Sequence, residues 1–361
     1  MRFKHKILSV LLALVLLPGM LSGCMAQPEA TVPSTAEPTA APTVVPTTAP
    51  TEAPTEAPTE APTEPTTEPT EAPTEPIVWP EEPWLYGGHA FVYDCKTQEY
   101  RFTLGGLEDP IYPASITKLF NAYVGLQYLH DLDQVLTVGE EVYMIAKGAS
   151  KIGLKPGDQI KLRELLKAML IPSGCDSAYV MAVTVGRILA ENPNLYYADA
   201  VDVYVQEMNR QADLLGLVNT HIVTPDGRHN DDHYISMGDF NRIAIACLDV
   251  QPIRDTVIQY KAVITLEDGT TFDVENTNVH INPQSPYYIP ECFGFKTGSH
   301  YAAGYCLVAA FHVDDRDVII GIFGSYDDEP RAKDIWTLWE NYGRIPKAAP
   351  AEEAAAPESA D

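Results

Sequence analysis

A run of Thr, Pro, Glu and Ala from Met25 to about Pro76, with a recurring Thr-Glu-Ala-Pro unit, sets the limits on what this chain can fold into. Such a segment lacks the apolar residues that offset the entropy of ordering a backbone, so it holds no core of its own. It reads as a linker. Proline-rich chain favours an extended form of roughly 3.1 Å per residue, and about fifty such residues reach on the order of 100 to 150 Å. Before it, Arg2, Lys4 and Lys6 precede an apolar run from Ile7 to about Leu17, then Leu21-Ser22-Gly23-Cys24. That is a secretory signal, too short and wrongly flanked for a spanning helix. The end from Lys347 to Asp361 is Ala, Pro and Glu and reads as a disordered acidic tail. The chain thus divides into a signal at 1–23, a linker at 24–83, a folded region at 84–346 and a tail at 347–361. The folded region is long enough for one large domain or two intimately packed subdomains.

Charge and cysteine usage exclude several functions. Of the formal −26, the signal contributes +3 and the linker, Glu81, Glu82 and the tail −14, leaving −15 on 84–346. Without a basic stripe or a basic amphipathic helix, nucleic acid is not an expected partner. Setting Cys24 aside leaves Cys95, Cys175, Cys247, Cys292 and Cys306, an odd number, so at least one is free even where export permits disulfides. Their spacings are not those of a zinc site, and neither metal nor other cofactor is expected.

Within the folded region, His89 to Cys95 alternates apolar and polar and predicts a strand, with Glu99 to Thr103 as its hairpin partner. A helix is expected from about Ser115 to Leu129. Lys155-Pro-Gly-Asp158 is a turn, and Leu162, Leu165, Leu166 and Met169 follow helical spacing. Ile171 to Ala178 is a small-residue loop opening a further helix to about Leu189, with Asp176 near its start as a candidate cap. Ala198 to Leu215 and Ser236 to Leu248 give two more helices. His221, His229 and His233 fall among aspartates with no fixed ligand spacing and read as an exposed polar loop. Lys261 to Leu266 and Thr271 to Val274 flank the Asp268-Gly269 turn as strands. Gly304 to Ala310 and Val318 to Phe323 are buried strands, and Arg331 to Tyr342 is a closing helix whose Trp336 and Trp339 pack into the core.

Three stretches carry chemistry. In Ser115-Ile-Thr-Lys118 the two ends stand about 5 to 6 Å apart on one helical face, within side-chain reach. A serine becomes a useful nucleophile only with a base in hydrogen-bond reach, and a lysine in a dry, cationic pocket supplies one. Ser115 also falls near a helix N-terminus, which favours developing negative charge. Ser173-Gly-Cys-Asp176 offers a second hydroxyl. In Gly294-Phe-Lys-Thr-Gly-Ser299, Lys296 reads either as an edge-strand charge that discourages aggregation or as a cation that binds a carboxylate and disfavours protonation of Lys118. Gly298 lets the backbone approach a ligand closely.

Ser-x-x-Lys, then Ser-Gly-x-Asp about 58 residues on, then Lys-Thr-Gly about 120 further, resembles the penicillin-recognising serine hydrolases in order and spacing. Within them the chain resembles the serine-type D-alanyl-D-alanine carboxypeptidases, the low-molecular-weight penicillin-binding proteins. Met208 to Gly216, Pro225-Asp-Gly227, Thr277-Asn278 and Ala303 to Val308 extend the likeness to roughly Trp84–Gly343. The resemblance implies an α/β (α+β) fold of the β-lactamase and transpeptidase type: an antiparallel five-stranded sheet flanked by helices, beside a helical subdomain, with the site between them. It implies Ser115 as nucleophile, Lys118 as general base and Ser173 as proton relay. Lys296, Thr297, Gly298, Ser299, Cys175 and Arg331 would contact substrate, with the backbone N–H groups of Ser115 and Ser299 as oxyanion hole. Relatives usually carry Asn where this chain has Cys175, and a thiol makes weaker hydrogen bonds than an amide. The implied substrate is the D-Ala-D-Ala end of a peptidoglycan stem peptide, with β-lactams as acylating inhibitors. Leu-Ser-Gly-Cys resembles a bacterial lipobox, which implies a lipid on Cys24 and a place on the outer face of the cytoplasmic membrane. Two alternatives are a class A-like β-lactamase, whose Ser-Asp-Asn and glutamate loop are not found here, and a catalytically impaired peptidoglycan-binding or sensing lipoprotein.

Overall fold

The computed structural model of the protein describes residues 79–80 and 82–344, all within one of the chain's two units, Ala72–Asp361. The signal, Cys24, most of the linker and the tail lie outside the described residues. The chain opens with the expected hairpin, β1 (His89–Asp94) and β2 (Glu99–Leu104), bulged between Val92 and Tyr93. After β3 (Pro110–Ile111), a 3₁₀ turn at Ala114–Ile116 runs into α1 (Thr117–Gly125). A small antiparallel pair, β4 (Val135–Thr137) and β5 (Gln159–Lys161), leads into α2 (Leu162–Leu170), followed by α3 (Cys175–Leu189) and α4 (Tyr197–Leu214). β6 (Ile235–Ser236) pairs with β3, and Ser236 Oγ accepts the Asp239 N–H at 3.2 Å to cap α5 (Met237–Leu248). α6 (Gln251–Val257) precedes a hairpin of β7 (Lys261–Thr265) and β8 (Thr271–Glu275) around the expected Asp268-Gly269 turn. The chain then makes β9 (Cys292–His300), β10 (Gly304–Val313), β11 (Arg316–Ser325) and α7 (Asp328–Leu338).

The five-stranded antiparallel sheet has the order β2-β1-β11-β10-β9, so first and last strands of the domain pair at its centre and β9 is left at an edge. Period-two alternation divides the strand side chains between two cores. Ile320 and Ile322 of β11, with Val92 and Leu307, pack under α7, and Trp339, just past the end of that helix, stacks on Phe311 at 4.4 Å. Ile319 and Phe323 face the other way, into the larger core that α1 to α6 build with the sheet. The expected core leucines of α2 belong to this second cluster.

Some expectations needed revision. The helix after Ser115 is shorter than Ser115–Leu129, because its start is a 3₁₀ turn and it frays after Gly125 into a last turn with Leu129 N–H on Gly125 O. Trp339 is fully buried, but Trp336 is 45% exposed. Ile335 and Leu338 of α7 and Trp339, which opens the π-helical turn Trp339–Gly343 just after it, share the sheet-facing side, and Trp336, one position on from Ile335, points away. Trp79, assigned from sequence to the linker, packs its ring 5.8 Å from that of Tyr342. All five described cysteines are free.

Candidate active site

The 3₁₀ turn that carries Ser115 is held open by local sequence. Ala114 sits at φ +48°, a region costly for a residue with a side chain. Thr117 Oγ1 donates to its carbonyl at 2.9 Å and must then accept from His233 Nε2 at 3.1 Å. His233 Nδ1 accepts the N–H groups of Val223 and Thr224, both at 3.3 Å. The ring is therefore fixed as the neutral Nε2–H tautomer, and burial pushes its pKa down to about 4. His233 is thus a buried strut and not part of an exposed polar loop.

One turn on, α1 aims a wholly buried Lys118 back at the serine: Nζ lies 2.7 Å from Ser115 Oγ and donates to Asp226 O at 3.0 Å. Asn121 is missing from the sequence reading. It is buried one further turn along the same face and donates to Pro225 O at 2.8 Å and Ala178 O at 3.2 Å, fixing the carbonyl run that Lys118 uses. A buried amide three residues after the lysine was the available signal. Gly227 completes the contact: a Cβ there would stand 1.8 Å from Ala114 O, and its φ is +80°.

Ser173, also at positive φ (+67°), precedes α3, and its carbonyl accepts from Ser150 Oγ at 2.7 Å. Cys175 is the first residue of α3, buried, with its N–H on Ser150 O at 2.8 Å and its Sγ 4.0 Å from Ser150 Oγ. Burial raises its thiol, opposed by the nearby Lys118 charge. Asp176 is not the helix cap expected of it, since Gly174 takes the cap position of α3 with no side-chain hydrogen bond. Its buried carboxylate accepts from Gly153 N at 2.8 Å, Leu154 N at 3.1 Å and Ser177 N at 3.0 Å, tying the Ser150 loop to the start of α3.

The third wall is β9. Gly298 has no room for a side chain, since a Cβ would lie 2.9 Å from Ser115 N, Ile116 N and Pro113 O at once. The close approach predicted at this glycine is thus to the serine's own turn. Thr297 Oγ1 lies 2.6 Å from Thr277 Oγ1. Lys296, although on an edge strand, is fully buried and donates to Thr297 O at 2.9 Å. Burial first, then the Lys118 charge, hold it well below an ordinary lysine. That burial excludes the role of a solvated edge charge.

Ser115, Ser173, Cys175, Thr297, Gly298 and Ser299 line one cleft of about 890 Å³, and Arg331 closes its far side. The Arg331 guanidinium is buried, bonded to Cys306 O at 3.2 Å and Asp328 Oδ1 at 2.6 Å, with burial lowering its pKa. A cluster absent from the sequence reading forms the rim: the His229 ring stands 5.0 Å from Tyr112, 5.1 Å from His300 and 4.8 Å from Tyr301. It joins three segments that are far apart in sequence, which no local pattern could reveal.

A serine and a lysine in contact on a helical wall, a second serine opposite and a Lys-Thr-Gly edge strand beside an antiparallel sheet define a penicillin-recognising serine hydrolase. The family model described as D-alanyl-D-alanine carboxypeptidase, peptidase S11, matches residues 102–326, and the chain belongs to that family. A D-alanyl-D-alanine carboxypeptidase of Streptomyces sp. strain K15 is 32% identical over 238 residues, covering 63% of this chain and 77% of the relative. DacF of Bacillus subtilis is 28% identical over 61% of this chain, and DacC of Escherichia coli 27% over 63%. The matches span only about half of those two relatives' length, 52% and 54%. In fold, the crystal structure of the Streptomyces K15 DD-transpeptidase matches with TM-score 0.65 at 27% identity, covering 72% of this chain and 98% of that one. The K15 enzyme has also been solved with replacements at a serine and a cysteine two positions apart, the spacing of Ser173 and Cys175 here. A replaced serine and arginine in it lie 32 positions apart, as do Ser299 and Arg331.

Proposed function

We propose that the protein removes the terminal D-Ala from peptidoglycan stem peptides through an acyl-enzyme on Ser115. The 2.7 Å approach of Lys118 Nζ to Ser115 Oγ carries this reading. A neutral Lys118 gives one N–H to Asp226 O and keeps its lone pair for the Ser115 hydroxyl. Ser115 Oγ attacks the carbonyl carbon of the penultimate D-Ala as its proton passes to Lys118 Nζ. The C–N bond then breaks, and the leaving amine takes its proton through Ser173. Water hydrolyses the ester and restores Ser115. The backbone N–H groups of Ser115 and Ser299 serve the oxyanion, a reading supported by the tight approach of Gly298 to Ser115 N.

The terminal carboxylate is taken by Thr297, Lys296 and Arg331. Among the described residues no carboxylate pairs with Lys296, and burial disfavours a proton on its amine. A bound carboxylate would secure that proton, and a charged Lys296 in turn disfavours a proton on Lys118. Substrate thus prepares the base that attacks it. A β-lactam acylates the same serine. Cys24 carries a lipid that holds the mature chain on the outer face of the bacterial cytoplasmic membrane.

Incubation with a peptide ending in D-Ala-D-Ala should release D-Ala, and labelled penicillin should form a slowly released adduct on Ser115 that Ser115→Ala abolishes. Absence of both refutes the proposal, and rapid penicillin turnover identifies a β-lactamase instead. Membrane retention should disappear in Cys24→Ala.

A further inference from the structure

A second surface lies outside the cleft. Trp84 is 76% exposed and Tyr326 69% exposed, far beyond what isolated packing of such rings requires. They are not scattered. The Trp84 ring meets Tyr86 edge-on at 4.4 Å, and Tyr86 meets Tyr326 at 5.6 Å, giving three aromatic rings in succession on one exposed face.

The row stands on rigid backbone. The buried Asp334 carboxylate of α7 accepts the Tyr86 N–H at 2.9 and 3.0 Å and the Gly87 N–H at 2.8 Å. Gly87 is pressed so close to β11 that a Cβ would stand 2.9 Å from Ile322 Cγ2. Aromatic rings held this way lose little freedom when a ligand lands on them. Carboxylates border the row: Asp327 and Glu329 follow Tyr326, and Glu329 is held between Tyr287 Oη at 3.1 Å and Lys333 Nζ at 2.9 Å. The surface is also continuous with the cleft, because Asp328 and Arg331, in the first turn of α7 just past Tyr326, line it.

Apolar ring faces beside carboxylate acceptors suit a neutral, hydroxyl-bearing ring polymer: C–H faces rest on the aromatics and hydroxyls donate to the acids. The acidic border and the net charge of the folded region disfavour an anionic polymer or membrane surface. We propose that Trp84, Tyr86 and Tyr326 form a docking platform for the glycan strand from which the stem peptide hangs. This rests on the function proposed above only in taking the substrate to be attached to glycan.

The test separates the two. The full chain is sedimented with peptidoglycan glycan strands stripped of their peptides, the lactyl carboxylates so exposed being capped as amides to keep the polymer neutral, while carboxypeptidase activity is followed on a free soluble peptide. Wild type should co-sediment, and Trp84→Ala and Tyr326→Ala should each bind about tenfold more weakly, a loss typical of an aromatic contact. Both should keep wild-type activity on the soluble peptide, which also shows that they fold. Failure of wild type to bind stripped strands overturns the proposal and leaves the rings to flanking segments of the chain. Equal binding by the variants overturns it as well, as does retention that needs the peptides, which would place the interaction in the cleft. A protein inactive on peptide but bound to glycan through these rings would refute only the carboxypeptidase reading.

Discussion

Gly298→Ala is the most demanding test of the site, because the glycine conformation carries no strain and only space is at issue. The added Cβ would sit 2.9 Å from Ser115 N, Ile116 N and Pro113 O, where ordinary contact begins near 3.4 Å. All three are backbone atoms, so no side chain can swing away. β9 and the nucleophile turn must separate by about half an ångström, the tolerance within which a catalytic constellation has to be held. The N–H groups of Ser115 and Ser299 lie on opposite sides of that gap. If they form the proposed oxyanion hole, separating them weakens the stabilisation of the oxyanion, and a lost donor of this kind typically costs 10²- to 10³-fold. Acylation of Ser115 by a β-lactam, measured by stopped-flow, should fall about 100-fold. Overpacking should cost roughly 1–3 kcal/mol in stability, leaving the protein folded. A folded variant that acylates within about twofold of wild type would refute the assignment of the hole and the view that Gly298 sets its width.

Four further outcomes follow from the geometry. Asp94 is buried between Arg101 and Arg316, so Asp94→Ala leaves Arg101 with only the Tyr342 and Gly343 carbonyls and Arg316 with only Asp314 at 3.8 Å among the described residues, and should cost roughly 3 kcal/mol in urea unfolding; a loss below about 1 kcal/mol contradicts this. His233 and His280 are both buried with pKa pushed down to about 4, against roughly 6.5 when unfolded. The unfolded chain binds their protons first, so the stability present above about pH 6.5 is lost as pH falls towards 4, by roughly 2–3 kcal/mol per ring at pH 4.5; His233→Gln should show a correspondingly shallower decline. Burial raises Cys175 and puts Cys95 and Cys292 at about 12 and Cys306 at about 11, so iodoacetamide at pH 7.5 should label none of them before unfolding. Asp176→Ala should cost about 1.5–3 kcal/mol and slow acylation, since the Ser150 loop that supports Ser173 loses its anchor; unchanged acylation would show that this loop is not needed to position Ser173.

The sequence by itself determined what is local or rhythmic. Alternation marked β1, buried apolar runs marked β10 and β11, and helical spacing marked α2, because each rests on neighbours within a turn or a strand, and the order of Ser115, Lys118, Ser173 and Lys296 marked the candidate site. The contacts that make the site work join residues about sixty to two hundred positions apart, and only the tertiary structure decided them. Asp226 O beneath Lys118, Asn121 behind it, His233 under the nucleophile turn and the rim around His229 have no local period to betray them. Lys296 shows the division most clearly. Its position on an edge strand was legible in the chain, but whether it stands in water or in the core depends on what the fold lays over it. Burial beside Lys118 turns what would be a surface charge into a buried amine held well below an ordinary lysine.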